Sequence, residues 1–264
     1  MMPVKPIPHG PFLAGLFRKY DRIVLPLFGK IAVEGKADGS AVTMADRNAS
    51  AEVVKSLIRH TPDHGVISEE EKEPYQSSAD WQWAIDPLDG TAAFARGLPV
   101  WGIGIGLLHK AQPREGYLHF PIVKETYAFH DGKGVLNGKQ LKLPSLPVAP
   151  DCRNVMITSI HSFVDVRCVK GLRLHNFGSN LYHMMALATG RCEAIITGSC
   201  QLWDLAPALP FTRALGYVER YLDGSPLVLA DIMRRSDFGF PIKQPLIVGP
   251  LKQVEVLLKM IGKG

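Results

Sequence analysis

The stretch WAIDPLDGTAAFARGLPVWG, residues 83–102, places an apolar strand directly before two aspartates, Asp86 and Asp89. Carboxylates this close repel each other, and each loses hydration if the fold buries it at the strand end. We therefore expect a cationic partner at this point. Gly90 and Thr91 follow at once and open a short helix, TAAFA, whose first amides would suit an anion such as phosphate.

Two other acidic positions share this character. Glu69 and Glu70 follow the apolar strand HGVIS, and Asp204 lies in the segment LWDLAP. Acidic residues are also common in turns and in the first turn of a helix, so each position alone has a purely structural explanation. Together they form an oxygen-ligand set without His or Cys, which suits Mg²⁺ or Mn²⁺. Beside a phosphate-binding helix start, such a set predicts phosphoryl chemistry by metal-activated water.

The segment DGSAVTMAD is a turn that leads into a predicted helix over residues 44–60. Thr43 and Asp46 have the spacing of a capping box, T-x-x-D. On spacing alone, the role of helix cap is favoured for Asp46 over a catalytic one.

The chain resembles the inositol monophosphatase family from about Lys36 to Leu229. The resemblance runs through KADGSAVTMAD, ISEEE, WAIDPLDGTAAF, GKGVLNGKQL, FGSNLYHMMALATGRCEA and WDLAP. It implies a Mg²⁺-dependent, lithium-sensitive phosphatase that hydrolyses a small-molecule phosphate monoester, usually as a homodimer. The implied fold is α/β (α+β), an αβαβα layered sandwich.

The resemblance also implies roles for individual residues. Two or three Mg²⁺ ions, with Mn²⁺ as a substitute, would be held by Glu69, Asp86, the carbonyl of Leu88, Asp89 and Asp204. The attacking water would be polarised by Glu69 and Thr91, with Asp46 orienting the Thr91 hydroxyl. The substrate would be bound by the amides of Gly90 and Thr91 and, on the side of its alcohol portion, by Gly178, Ser179, Asn180 and Asp204.

Three positions bear on how far the resemblance extends. Ser68 stands where the family usually has glycine, and the carboxylate of Glu69 is retained. Thr197, seven residues before Asp204, stands where inositol phosphatases carry a glutamate that grips sugar hydroxyls. The segment GLPVWG, residues 97–102, resembles the corresponding segment of histidinol-phosphate phosphatases. Histidinol phosphate is therefore the alternative substrate.

The element pattern changes near the proline-rich segment PSLPVAP, residues 144–150. We expect an α+β half over residues 1–147, carrying most metal ligands, and an α/β half over residues 148–264 with Asp204. In the first half, Asp131-Gly132 and Asn137-Gly138 predict hairpins. The glycines of GIGIG, from residue 102, predict a closely packed strand rather than a dinucleotide-binding loop. The second half should contain helices over about 161–170, 179–189 and 203–215.

Composition limits the remaining classes of function. The net charge of +5 favours anionic partners, but no run of basic residues indicates a nucleic-acid surface. The alternative from another class is a non-catalytic scaffold that binds RNA or a protein. No stretch of eighteen apolar residues predicts a membrane span, and the four cysteines lack C-x-x-C spacing, so we expect a cytoplasmic protein.

Overall fold

Two β-sheets separated by helices organise the computed structural model of the chain. The larger sheet has seven strands, which lie in chain order from β3 to β9. Its first pair is parallel and the others are antiparallel. The residues that the structure describes are 9–32, 34–35, 41–71, 74–141, 154–157, 172–198, 200–234, 241–242 and 244–261.

The bounds of the elements follow. The helices are α1 Gly10–Val24, α2 Met44–His60, α3 Thr91–Ala95, α4 Asn180–Ala188, α5 Leu209–Ala214, α6 Leu229–Met233 and α7 Leu251–Ile261. The strands are β1 Glu34–Gly35, β2 Ala41–Val42, β3 Gly65–Ser68, β4 Trp81–Asp89, β5 Gly102–His109, β6 Gln112–Phe120, β7 Glu125–His130, β8 Lys133–Leu136, β9 Lys139–Gln140, β10 Asn154–Ile157, β11 Arg173–His175, β12 Ala194–Thr197, β13 Val218–Tyr221 and β14 Leu246–Gly249.

Helices and sheets form layers because the apolar faces of the two sheets are covered by helices. Helices α1 and α2 pack on one face of the seven-stranded sheet through a core that includes Leu16, Val53 and Trp83. A second core joins the other face to α4, α5 and the inner face of the five-stranded sheet, whose order is β11-β10-β12-β14-β13. Helix α7 covers the outer face of that sheet. This is the αβαβα sandwich that the resemblance implied.

Glycines let the middle layer approach the large sheet closely. A Cβ at Gly106 of β5 would lie 2.8 Å from the backbone nitrogen of Pro207, and one at Gly104 would overlap the side chain of Leu181 on α4. The GIGIG segment is therefore a closely packed strand, as predicted. The turns at Asp131-Gly132 and Asn137-Gly138 join β7 to β8 and β8 to β9, with all four residues at positive φ.

Helix predictions in the second half had mixed outcomes. Helix α4 matches the prediction over 179–189, whereas the one over 203–215 was wrong. This stretch forms a 3-10 helix, Leu202–Asp204, then a turn and α5. Pro207 explains the break, because it lacks an amide hydrogen and disfavours helical geometry in the residue before it. The helix over 161–170 and the boundary at 144–150 lie outside the described residues, so the division into halves stays a prediction.

Candidate active site

A β-bulge near the end of β4 allows Asp86 and Asp89 to approach each other. Asp86 lies opposite Gly104 of β5 and Asp89 lies opposite Gly102, so three steps along β4 match two along its partner. In a regular strand, residues three apart point to opposite faces, and one extra residue removes that opposition. The backbone thus places both carboxylates at one end of the sheet.

Asp86 lies at the centre of an acidic cluster. Its side chain is buried, and burial raises its pKa well above the ordinary value. The negative charges of Glu69, Asp89 and Asp204 raise this pKa further, in that order, and a hydrogen bond from the amide of Leu88 opposes them. Three other predicted metal ligands, from both parts of the chain, therefore lie close enough to Asp86 to disfavour its charged form.

The next question is whether these four acidic residues suit a divalent cation. Carboxylate oxygens and a concentration of negative charge fit Mg²⁺ or Mn²⁺. Among the described residues, no three His, Cys, Asp or Glu side chains converge tightly enough to hold an ion as they stand. Three of the carboxylates, those of Asp86, Asp89 and Asp204, accept hydrogen bonds from the protein. A carboxylate has about four acceptor positions, and Asp89 uses at least three of them for bonds to the start of α4, so a cation at Asp89 would compete with those bonds. The donor chemistry and the charge of this set therefore fit a divalent cation. That these residues ligate a metal stays a prediction.

Asp89 is held by the start of α4. The amides of Asn180 and Leu181 donate to its two oxygens over 3.0 and 3.1 Å, and the hydroxyl of Ser179 also donates to it. Burial raises the pKa of Asp89 to about 6, and these hydrogen bonds act in the opposite direction. Ser179 is itself buried. Its hydroxyl therefore supports a carboxylate, a contact the sequence analysis missed although a serine directly before an apolar helix is a recognisable cap.

Asp204 reaches the cluster through the 3-10 helix that β4 and β5 contact. Its Oδ2 accepts a hydrogen bond from the amide of Gln201 over 2.6 Å. The chain directly after it, at Ala206 and Pro207, lies against Gly106. The absence of a side chain at Gly106 is what permits this approach.

Asp46 joins the cap of α2 to the residue after Gly90. The hydroxyl of Thr91 donates to Asp46 Oδ1 over 2.7 Å, and the amide and hydroxyl of Thr43 donate to Oδ2 over 2.8 and 2.5 Å. Burial raises the pKa of Asp46, while these hydrogen bonds lower it. Thr91 Oγ1 also lies 3.1 Å from the carbonyl oxygen of Leu88. The capping box is confirmed, and the same carboxylate orients Thr91.

Gly90 adopts a left-handed conformation, with φ at 87°, immediately before α3. A Cβ at this position would lie 3.2 Å from the carbonyl oxygens of both Gly178 and Val100. Conformation and space therefore both favour glycine here. A cavity of about 530 Å³ lies beside it, with a mostly apolar lining of Ala92, Ala93, Arg96, Leu98, Pro99, Val100, Asn176, Phe177 and Gly178.

The remaining predicted positions are also located. Glu69 follows β3, and its amide donates to Ile85 of β4 over 3.2 Å. Ser68 is buried with its hydroxyl 3.1 Å from that of Ser50, so the fold accommodates a serine where glycine is usual. Thr197 is buried at the end of β12, and its hydroxyl donates to the carbonyl of Gly198 over 3.3 Å.

Comparison with known proteins identifies the family. The inositol monophosphatase family model matches residues 18–237. The chain therefore belongs to the inositol monophosphatase family, whose members include phosphatases and are generally metal-dependent.

Proteins similar to this chain are named for different phosphatase activities. The chain is 30% identical over 209 residues to the chloroplastic bifunctional phosphatase IMPL2 of Arabidopsis thaliana, covering 76% of this chain and 58% of that protein. It is 29% identical to a histidinol-phosphatase of Chlorobaculum parvum, covering 82% and 89%. It is 30% identical to an inositol-1-monophosphatase of Synechocystis, covering 78% and 76%.

One solved structure illustrates the fold. The crystal structure of an IMPase/NADP phosphatase complexed with Mg²⁺ and phosphate has a TM-score of 0.80, and the match covers 97% of this chain and 95% of that one. Sequence identity is 19%, so the likeness shows the fold alone. No helix among the described residues is long and apolar enough to cross a membrane.

Proposed function

We propose that this chain is a Mg²⁺-dependent phosphatase that hydrolyses the phosphate monoester of a small molecule. The observation that carries the proposal is the buried carboxylate of Asp86, which is surrounded by the negative charges of Glu69, Asp89 and Asp204. Such a cluster destabilises a fold unless a cation compensates it. Membership of a family that includes phosphatases gives this charge arrangement a chemical purpose.

The residues that would hold Mg²⁺ are those named by the family resemblance: Glu69, Asp86, the carbonyl of Leu88, Asp89 and Asp204. Two or three ions would bind, and Mn²⁺ would substitute. When bound, the cations would lower the pKa of a water molecule and neutralise charge on the phosphoryl oxygens.

Thr91, Asp46 and Glu69 would place the attacking water. Because the Thr91 hydroxyl donates a hydrogen bond to Asp46, its oxygen retains lone pairs that accept a hydrogen bond from water. A water held in this way would be aligned with phosphorus, and the carboxylate of Glu69 would accept its proton. The buried bonds from Thr43 keep Asp46 in place while this occurs.

The phosphate would dock at the amides of Gly90 and Thr91. The left-handed Gly90 turns the chain into α3 without a side chain that would obstruct an anion. The alcohol portion would lie towards Gly178, Ser179, Asn180 and Asp204, of which Gly178 also lines the neighbouring cavity.

Phosphate release by the purified protein at increasing Mg²⁺ concentration tests this function. We expect release that requires Mg²⁺ and is inhibited by Li⁺, and we expect Asp89→Asn to abolish it while the circular dichroism spectrum is retained. Asp131→Asn, in the exposed turn between β7 and β8, is the matched control. No release from a broad metabolite panel by a protein that binds Mg²⁺ would favour the scaffold that binds RNA or a protein, and near-normal activity of Asp89→Asn would exclude its role.

Histidinol phosphate is the second candidate substrate. A relative named histidinol-phosphatase is 29% identical, and Thr197 offers no carboxylate for the hydroxyls of inositol. A panel of myo-inositol 1-phosphate, L-histidinol phosphate, fructose 1,6-bisphosphate and adenosine 3',5'-bisphosphate distinguishes these by kcat/KM.

Assembly and location complete the proposal. We expect a homodimer, as the family resemblance implies. Light scattering of the protein as it elutes from a size-exclusion column measures its mass and so tests this expectation. The cytoplasmic location stays a prediction that cell fractionation tests.

A further inference from the structure

A buried histidine holds the loop on the substrate side of the candidate active site. His183 lies on α4 with no exposed surface, and its Nε2 accepts a hydrogen bond from the amide of Phe177 over 2.9 Å. Nδ1 is buried and has no hydrogen-bond partner among the residues that the structure describes. Burial lowers the pKa of His183 to about 4, so the ring is neutral at pH 7 and Nε2 acts as an acceptor.

The loop held by this bond contacts two parts of the candidate site, Gly90 and Asp89. Directly after Phe177, the carbonyl of Gly178 covers Gly90, since its oxygen would lie only 3.2 Å from a side-chain carbon placed there. The next residues, Ser179 and Asn180, donate hydrogen bonds to Asp89. A shift of Phe177 would therefore move contacts to Asp89 and to Gly90, the residue directly before α3.

The same loop forms one wall of the cavity beside α3. Asn176, Phe177 and Gly178 are among its lining residues, together with Leu98. Within the loop, the Asn176 side chain accepts a hydrogen bond from the amide of Gly178 over 2.8 Å. This local turn shapes the loop, whereas the bond to His183 ties it to helix α4.

We propose that His183 is a positioning residue for substrate binding: its Nε2 anchors Phe177 and thereby keeps residues 177–180 against Asp89 and Gly90. The proposal rests on the proposed phosphatase function. His183 touches neither phosphate nor the acidic cluster in this role. It acts through the position of the loop, so its loss should weaken binding of the substrate's alcohol portion more than it slows turnover.

Three substitutions separate the hydrogen bond from simple filling of the core. His183→Leu removes the acceptor and leaves the Phe177 amide without a partner. His183→Gln places a carbonyl oxygen near the position of Nε2 and should restore the bond. His183→Asn is polar but too short to reach, and it serves where the leucine variant does not fold. His109→Leu, at the far end of β5 from Gly102, is the matched control.

The measurements are KM and kcat for Mg²⁺-dependent phosphate release, and hydrogen exchange at the amides of residues 177–180. We expect His183→Leu and His183→Asn to raise KM roughly tenfold with a smaller change in kcat, and to accelerate exchange at these amides. His183→Gln and His109→Leu should stay within about twofold of the wild type.

Two results would overturn the role of His183. One is unchanged exchange at residues 177–180 in both the leucine and the asparagine variants, and the other is a glutamine variant as impaired as these two. A wild-type protein that releases no phosphate is a failure of the proposed function instead. Exchange is measured without turnover, so it tests the anchoring of the loop independently of that failure.

Discussion

The hydroxyl of Thr91 donates a hydrogen bond to Oδ1 of Asp46 over 2.7 Å, although 45 residues separate the two in the chain. Asp46 belongs to the first turn of α2 and Thr91 begins α3. One carboxylate therefore stabilises a helix end and fixes the orientation of a hydroxyl beside the acidic cluster. Loss of the Thr91 hydroxyl should accordingly affect catalysis and leave the cap of α2 intact.

Thr91→Ala should lower kcat about 100-fold and change KM by less than about threefold, because the hydroxyl is proposed to align water and not to bind the ester. Steady-state kinetics of phosphate release measure both constants. Ser225→Ala, which removes an exposed hydroxyl in the turn after β13, should be unaffected. A rise in KM with unchanged kcat would assign Thr91 to phosphate binding alone.

Asp86→Asn should stabilise the metal-free protein at pH 7, because it removes the buried carboxylate on which three negative charges act. Mg²⁺ should stabilise the wild type by about 2.7 kcal/mol at 100 times its Kd, and should stabilise the variant far less. Denaturant unfolding with and without Mg²⁺ measures these changes, with Asp131→Asn as the control. An equal Mg²⁺ effect on variant and wild type would place the cation elsewhere.

Gly106→Ala should destabilise the fold by about 1–3 kcal/mol and weaken Mg²⁺ binding, since its Cβ would lie 2.8 Å from backbone atoms of Ala206 and Pro207, next to Asp204. Gly15→Ala on α1 is a matched control, because its nearest neighbour would be 3.9 Å away. There, alanine should stabilise the helix by about 0.5–1 kcal/mol. Thermal unfolding and Mg²⁺ titration test both, and a harmless Gly106→Ala would contradict the close packing.

Acid should destabilise the protein partly through His183. Its pKa is about 4 in the fold against 6.5 for the free side chain, so the unfolded chain binds more protons between these values. Stability from this group is present above pH 6.5 and is lost as pH falls towards 4, by roughly 3 kcal/mol. His183→Gln should show a shallower decline of unfolding free energy over this interval. An identical pH profile for variant and wild type would refute the shift.

Local signals in the sequence were sufficient for much of the fold. The capping box at Thr43 and the Asn137-Gly138 turn depend on residues within a few positions of each other, so their backbone geometry was predictable. The stretch 203–215 shows the limit, because its apolar spacing indicated a helix while Pro207 interrupted it. Residues 144–150 and 161–170 lie outside the described structure, so predictions there stand as they were.

In the candidate site, too, some features follow from the sequence and others only from the tertiary structure. The sequence by itself determined which residues are acidic, where strands end in carboxylates, and, through its resemblance to a family, which of them to examine. Only the tertiary structure decided that Asp204 lies near enough to Asp86 to affect its pKa, that Ser179 supports Asp89, and that His183 holds Phe177. These contacts join elements far apart in the chain, and they depend on how sheets and helices pack, which local residue preferences do not encode.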